Sequence, residues 1–188
     1  MSKTKFGGTF TNNLISNNNI SGNARIGGAF TVECYDKFNT LKWVERTHNL
    51  VTNQGINRLL NVMFGGIAAT GTWYVALFES NTTPASNLTY AVPGYTECTA
   101  YDETTREAYV EATTTTKSMT NAASKAEFTM NATKTIYGAS IVSATTKADT
   151  ATAGAVLYCA AKFTAERAVY DDDVLRVTYV IGAADDGA

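Results

Sequence analysis

The chain has 188 residues, a formal net charge of −2, 45% hydrophobic residues and 17% charged residues. This length suits one domain with a tail, or at most two small domains, and the hydrophobic content is sufficient for a core. The small net charge gives no global reason to expect nucleic acid or an anionic membrane as a partner.

No apolar run approaches the roughly 20 residues that a membrane helix needs. The basic start of the chain is not followed by a hydrophobic segment, so it does not resemble a signal peptide. The sequence therefore predicts synthesis and folding in a cytoplasm.

Residues 1–27 differ in composition from the rest of the chain and are predicted to form an extended arm. They are rich in Asn and Gly, all their charges are basic, and their apolar residues are too sparse for a separate core. Such segments gain order by packing on a partner, whereas the alternative is an ordinary solvated terminus. The arm residues predicted to bind a partner are Lys3, Lys5, Phe6, Phe10, Leu14, Ile15, Ile20 and Arg25.

The main domain is predicted to span residues 28–188 and to begin with a β-hairpin. Its strands are residues 28–35 and 41–46, which flank a polar turn.

An amphipathic helix is predicted over residues 53–64. Thr52 or Asn53 can cap its first turn, and the glycines at 65 and 66 can end it. Apolar residues recur at helical spacing and form one stripe, so we expect this helix to plug a β-sandwich. The stripe comprises Ile56, Leu59, Leu60, Met63 and Phe64.

The remaining predicted elements are strands. Residues 73–78 form an aromatic strand on which Trp73, Val75 and Leu77 share a face. Gly138 indicates a bulge or close packing. Further strands are predicted at 95–101, 106–111, 125–130, 135–142, 155–163 and 174–181, with surface loops at 81–93 and 113–124.

Strands that recur about every ten residues, with turn signals between them, favour a mainly β fold. We predict an antiparallel β-sandwich or jelly roll with one amphipathic helix and an extended N-terminal arm. No internal repeat, heptad or collagen-like period is present, so no fibrous shaft is predicted.

Cysteine and histidine usage argues against a zinc site. Cys34, Cys98 and Cys159 are far apart, and His48 is the only histidine. A structural zinc site needs about four ligands, usually in closely spaced pairs. We therefore expect the cysteines to be small buried hydrophobic residues.

The acidic run Asp171, Asp172 and Asp173 is the strongest candidate for a metal site. Together with Asp149 or Asp102 it could supply some of the six to eight oxygens that calcium takes. The run directly precedes a predicted strand, however, where aspartates form turns and protect edges. The latter interpretation is favoured, and no metal or cofactor is predicted.

No motif for catalysis or nucleotide binding is present. The chain lacks a GxSxG elbow, a GxxxxGK[ST] loop and a GxGxxG loop. Paired carboxylates for glycoside hydrolysis cannot be located without the fold. We predict that the protein is not an enzyme.

Charge is distributed unevenly along the chain. The arm is basic, whereas residues 165–188 are mainly acidic. An arm from one copy could therefore lie on the acidic end of another copy, or on an acidic scaffold surface. Because exposed ion pairs contribute only about 0.2–1 kcal/mol each, apolar anchors such as Phe6 and Phe10 must supply most of the affinity.

The order of several segments resembles a family of tailed-bacteriophage virion proteins. These segments are FTVECYD (30–36), LKWVE (41–45), NLVTNQGIN (49–57), WYVALF (73–78), YDETTREAY (101–109) and LRVTY (175–179). The resemblance covers about residues 29–181. Members of this family are described as capsid decoration (cement), head-fibre or tail-associated structural proteins.

The resemblance implies a non-enzymatic structural protein, foremost a decoration protein on the capsid surface that bridges capsomers. Its expected partners are the major capsid protein and neighbouring copies of itself, with no nucleic acid and no membrane. One alternative is a tail, collar or fibre-adaptor protein. Another is a carbohydrate- or receptor-binding module that stacks sugars on exposed Tyr and Trp of the 81–93 and 113–124 loops.

Overall fold

The computed structural model describes residues 24–113 and 116–185, which form ten strands and one helix. In chain order these elements are β1 (Ala24–Tyr35), β2 (Leu41–His48), β3 (Leu50–Val51), α1 (Asn53–Phe64), β4 (Trp73–Phe78), β5 (Glu107–Tyr109), β6 (Ser118–Thr120), β7 (Ala126–Thr129), β8 (Lys134–Val142), β9 (Leu157–Val169) and β10 (Val174–Asp185).

The strands form two antiparallel sheets. Sheet A has the order β2-β1-β10-β6, and β7 also pairs with β10. Sheet B has the order β3-β9-β8-β4-β5. One continuous apolar core contains residues of both sheets, such as Phe30 and Val177 of sheet A and Leu77 and Ile141 of sheet B. The predicted mainly β, antiparallel sandwich with one helix is confirmed.

The long strands β1 and β10 organise sheet A. Phe30 pairs with Tyr179, and their rings lie 4.5 Å apart between the sheets. β1 begins at Ala24, so the last four residues of the predicted arm pair with β10. Of the arm residues predicted to bind a partner, Arg25 lies in β1 and is exposed, and the others lie outside the described residues.

Helix α1 and strand β4 have the predicted bounds, because their apolar periods are unambiguous. Among the described residues, no helix is long and apolar enough to cross a membrane. The predicted strands at 95–101 and 106–111 are mostly wrong. Only β5 forms there, together with isolated bridges at Glu97 and Tyr101.

The segment between β4 and β5 is not only a surface loop. The prediction of a surface loop at 81–93 is wrong for its aromatic residue, Tyr90. Tyr90 is buried in a second apolar cluster with Ala76 and Leu157, on the outer face of sheet B. Tyr95 stacks on Phe78 with 4.6 Å between ring centroids. Both faces of β4 are therefore covered, and its last four residues are all buried.

The three cysteines are buried and free, as the sequence predicts. Burial raises the pKa of Cys34 to about 12, of Cys98 to about 11 and of Cys159 to about 12. The thiolate is the reactive form. We expect the folded protein at neutral pH to leave all three thiols unmodified by a disulfide reagent, and guanidinium-unfolded protein to react at all three. Rapid modification of the folded protein would contradict this burial.

Candidate interaction surface

Helix α1 is fixed to strand β9 through its first turn. The Thr52 hydroxyl accepts a hydrogen bond from Gly55 N at 3.0 Å and donates to Leu157 O at 2.5 Å. The Gln54 side chain accepts from Tyr90 N at 2.9 Å and from Leu157 N at 2.8 Å. Of the two predicted cap residues, Thr52 forms the cap, and it ties the helix to a strand about a hundred residues later in the chain.

Gly55 permits the close approach of the helix to β9. A Cβ atom at this position would lie 2.4 Å from the carbonyl oxygen of Tyr158, which is a clash with backbone. A larger residue would therefore push the helix away from the sheet, although alanine is normally the better helix former. This contact fixes which side of the helix faces inward.

The apolar residues of α1 do not all face the core. Leu59 packs against the core and Val62 is half-buried. The rest of the predicted stripe points outward, so the expectation that it plugs the sandwich is wrong for four of its five residues. These four are Ile56 at 41% exposed, Leu60 at 52%, Met63 at 64% and Phe64 at 79%.

We call this surface the outer helix face and define it as Ile56, Leu60, Met63, Phe64 and the following Ile67, which is 44% exposed. Large contiguous apolar patches on a protein surface mark interaction sites. The sequence reveals the stripe by its period, but the period alone cannot tell which residues of the stripe remain uncovered.

The outer helix face carries no charge. Arg58 is the one charged residue of α1, and its guanidinium donates to Thr70 Oγ1 at 3.2 Å and to Ala68 O at 2.9 Å. Arg58 therefore holds the loop between α1 and β4 beside the helix. A partner of the outer helix face would be recognised by apolar contact rather than by charge.

A buried polar network lies on the other side of sheet B. Arg106 is 4% exposed and binds both carboxylate oxygens of Glu97, at 2.8 and 2.6 Å. It also donates to Tyr90 Oη at 2.9 Å, Ala144 O at 2.8 Å and Asp149 O at 3.1 Å. Burial alone would lower the pKa of Arg106, but the hydrogen bonds and charge of Glu97 raise it above its usual value. The network therefore links the segment between β4 and β5 to the loop between β8 and β9.

The acidic run does not assemble a metal site. Asp173 is 3% exposed, forms an ion pair with Lys42 and accepts from Tyr170 N at 2.8 Å. Asp171 and Asp172 stay exposed in the turn before β10. No group of three or more His, Cys, Asp and Glu that could hold a metal ion occurs in residues 24–113 and 116–185.

The alternative in which exposed Tyr and Trp of the 81–93 and 113–124 loops stack on sugars is wrong. Tyr90 is the single aromatic residue of the 81–93 loop, and it is 3% exposed. Its hydroxyl donates to Asp149 at 2.9 Å. The 113–124 loop contains neither Tyr nor Trp. These loops therefore offer no exposed ring on which a sugar could stack.

One family model matches the chain over residues 51–180, and it describes the podophage GP4 fiber I protein gp80. The match includes α1, strands β4 to β9 and the first part of β10, whereas β1 and β2 lie before it. It confirms the resemblance to tailed-phage structural proteins. No curated protein matches the chain. The match supports a structural role in a phage virion.

Proposed function

The chain belongs to the family of the podophage GP4 fiber I protein gp80, and on that premise we propose that it is a globular structural component of a phage fibre. In this role it binds a neighbouring structural protein of the particle through the outer helix face. The sandwich serves as a rigid support that presents this face, and the protein acts by binding alone, without catalysis.

The exposure of the outer helix face is the observation that carries this proposal. The opposite side of α1 is already packed against the β9 backbone and the core. The exposed residues therefore cannot turn inward to be buried within the protein. Phe64 is 79% exposed and Met63 is 64% exposed, at the end of a helix whose start is firmly attached. Side chains of this size gain from leaving water when a partner covers them.

The expected energy of this contact is sufficient for binding. Full burial of a Leu, Ile, Met or Phe side chain is worth about 1.5–3 kcal/mol, so covering residues that are half exposed yields roughly 1–2 kcal/mol each. Several such anchors together exceed what exposed ion pairs can provide. A protein that binds only the assembled particle also stabilises the assembly by mass action.

The first test replaces two anchors of the outer helix face. Leu60→Gln/Phe64→Gln is expected to keep the fold but to weaken incorporation into particles by about 30-fold or more, because about 2–4 kcal/mol of apolar contact is lost. Incorporation is measured by complementing a phage that lacks the gene and quantifying the protein in purified particles.

The chain offers a closely matched control. Phe38 and Leu41 are 78% and 50% exposed, compared with 79% for Phe64 and 52% for Leu60, but they lie at the β1–β2 turn. Phe38→Gln/Leu41→Gln should therefore incorporate normally. Equal incorporation of the two double variants would refute the proposed surface.

Capsid decoration is the second candidate function. The fold is compatible with it, because a single sandwich suits a capsid-covering protein as well as a fibre domain. In that role the partners would be the major capsid protein and neighbouring copies of this chain. Copy number separates the two functions: hundreds of copies per particle fit decoration, whereas a few to a few dozen fit a fibre.

A further inference from the structure

Helix α1 stands at the end of the sandwich where the arm joins β1. Leu59 of the helix and Ile181 of β10 line the same cavity, so the helix lies beside this part of β10. Ile181 pairs with Gly28, and the pairing of β1 with β10 continues for four more residues, as far as Ala24. The arm therefore joins the domain only about 13 Å beyond the level of the helix.

The sequence of the arm suits an uncharged apolar surface. No charged residue occurs between Lys5 and Arg25. Phe6, Phe10 and Leu14 recur at intervals of four residues, and this spacing places them on one side of an extended strand and also on one side of a helix. The arm can therefore apply three large apolar side chains to one partner surface.

The outer helix face has a matching composition and spacing. Ile56, Leu60 and Phe64 also recur at intervals of four residues, so they form a row about 12 Å long on the helix. In an extended chain, two residues that are four positions apart lie about 13 Å from each other. Phe6 and Phe10 can therefore contact both ends of this row at the same time.

Reach and direction favour the helix of a neighbouring copy. Ten residues separate Leu14 from Ala24, and in an extended chain they span about 33 Å, which is close to the diameter of a small domain. Because β1 is still paired with β10 at Ala24, the backbone there follows the strand away from its own helix. Docking on its own helix would require the chain to reverse directly before Ala24, whereas docking on a neighbour requires no reversal.

We propose that the arm of one copy covers the outer helix face of the next copy, with Phe6, Phe10 and Leu14 as anchors. Each copy contributes one arm and one helix face, so the contact is head-to-tail and can repeat along a row of copies or close into a ring. This inference rests on the proposed function where it names the neighbouring structural protein as a second copy. The match between the arm and the outer helix face does not depend on that function.

The first test uses two full-length double variants and their mixture. Phe6→Gln/Phe10→Gln removes two anchors and keeps the outer helix face, whereas Leu60→Gln/Phe64→Gln alters the face and keeps the arm. Sedimentation velocity should show unmodified protein in oligomers that grow with concentration, and each variant alone as a monomer. An equimolar mixture should form a 1:1 dimer and nothing larger, because only one kind of intact arm and one kind of intact face remain.

Two results of this test would overturn the proposal. A mixture that stays monomeric would show that the arm of one copy does not bind the face of another, as would unmodified protein that stays monomeric at NMR concentrations. The control Phe38→Gln/Leu41→Gln should form oligomers like the unmodified protein, because its substitutions lie at the β1–β2 turn. Loss of oligomers in this control would also contradict the assignment to the outer helix face.

The second test locates the contact with a synthetic peptide of residues 1–20. The peptide is titrated into full-length Phe6→Gln/Phe10→Gln, and the methionine methyl resonances are followed by NMR. Met63 lies on the outer helix face and is 64% exposed, whereas Met130 is 1% exposed in the core and serves as an internal control.

We expect the peptide to shift the Met63 resonance saturably and to leave that of Met130 unchanged. A peptide with glutamine in place of both phenylalanines should bind at least about 30-fold more weakly, because two apolar anchors are lost. Absence of a saturable Met63 shift, or equal affinity of the two peptides, would overturn the site.

Failure of this inference and failure of the proposed function give different results. If the mixture of variants stays monomeric while Leu60→Gln/Phe64→Gln is lost from particles, the outer helix face binds a different protein and the fibre role stands. If the mixture forms the dimer while that variant is incorporated normally, the arm docks as proposed and the fibre role through this face fails.

Discussion

Replacing Arg106 with alanine is expected to lower the free energy of unfolding by about 3–5 kcal/mol, because it leaves the buried Glu97 carboxylate without its counter-charge. Glu97 is 8% exposed at its side chain, and both its oxygens are bound by the guanidinium. The substitution also removes the donors to Ala144 O and Asp149 O. The segment between β4 and β5 would then keep its aromatic packing on sheet B but lose the hydrogen bonds of Arg106.

A matched variant isolates the contribution of burial. Arg176 forms an ion pair with Glu127 at 2.9 Å, but their side chains are 29% and 53% exposed. Arg176→Ala is therefore expected to cost no more than about 1 kcal/mol. Denaturant-induced unfolding of both variants measures the difference. Similar losses in the free energy of unfolding for the two substitutions would mean that the buried Arg106 network stabilises the fold no more than an exposed ion pair does.

Gly138→Ala is expected to destabilise the fold by about 3 kcal/mol, the upper part of the usual range for overpacking. A Cβ atom at Gly138 would lie 2.0 Å from Phe78 Cζ and 2.2 Å from the carbonyl oxygen of Ala161. The ring could rotate, but the oxygen belongs to the neighbouring strand β9 and can move only with that strand. β8 lies between β4 and β9, so the disturbance would spread through sheet B.

Gly27 provides the control for Gly138. It also lies in a strand, yet a Cβ atom there would meet nothing within 4 Å. Gly27→Ala should therefore be neutral or stabilising by about 0.4–1 kcal/mol, since alanine restricts the unfolded chain. Thermal or denaturant unfolding distinguishes the opposite signs. If Gly138→Ala left the free energy of unfolding unchanged, sheet B would be able to accommodate the added methyl group despite its close packing.

Gly138 also shows where sequence reasoning succeeded. A glycine within a run of branched residues predicts a bulge or a close approach, and both occur. The register shifts between Ile136 and Gly138, and the Phe78 ring covers the glycine. The residues that approach it lie in β4 and β9, however, so their identity could not be predicted locally.

The sequence alone determined the local elements whose period is strong: helix α1, strand β4 and the alternation of the longer strands. It narrowed the helix cap to Thr52 or Asn53, and the structure selected Thr52. It also determined, through the order of its segments, the resemblance to phage structural proteins. The tertiary structure decided which apolar residues remain exposed and where the charges lie. The outer helix face exists because Gly55 meets β9, and the buried Arg106 is bonded to Glu97 and to the carbonyl oxygens of Ala144 and Asp149. Periodicity records which residues share a side of an element, but only contacts between distant segments determine whether that side meets protein or water.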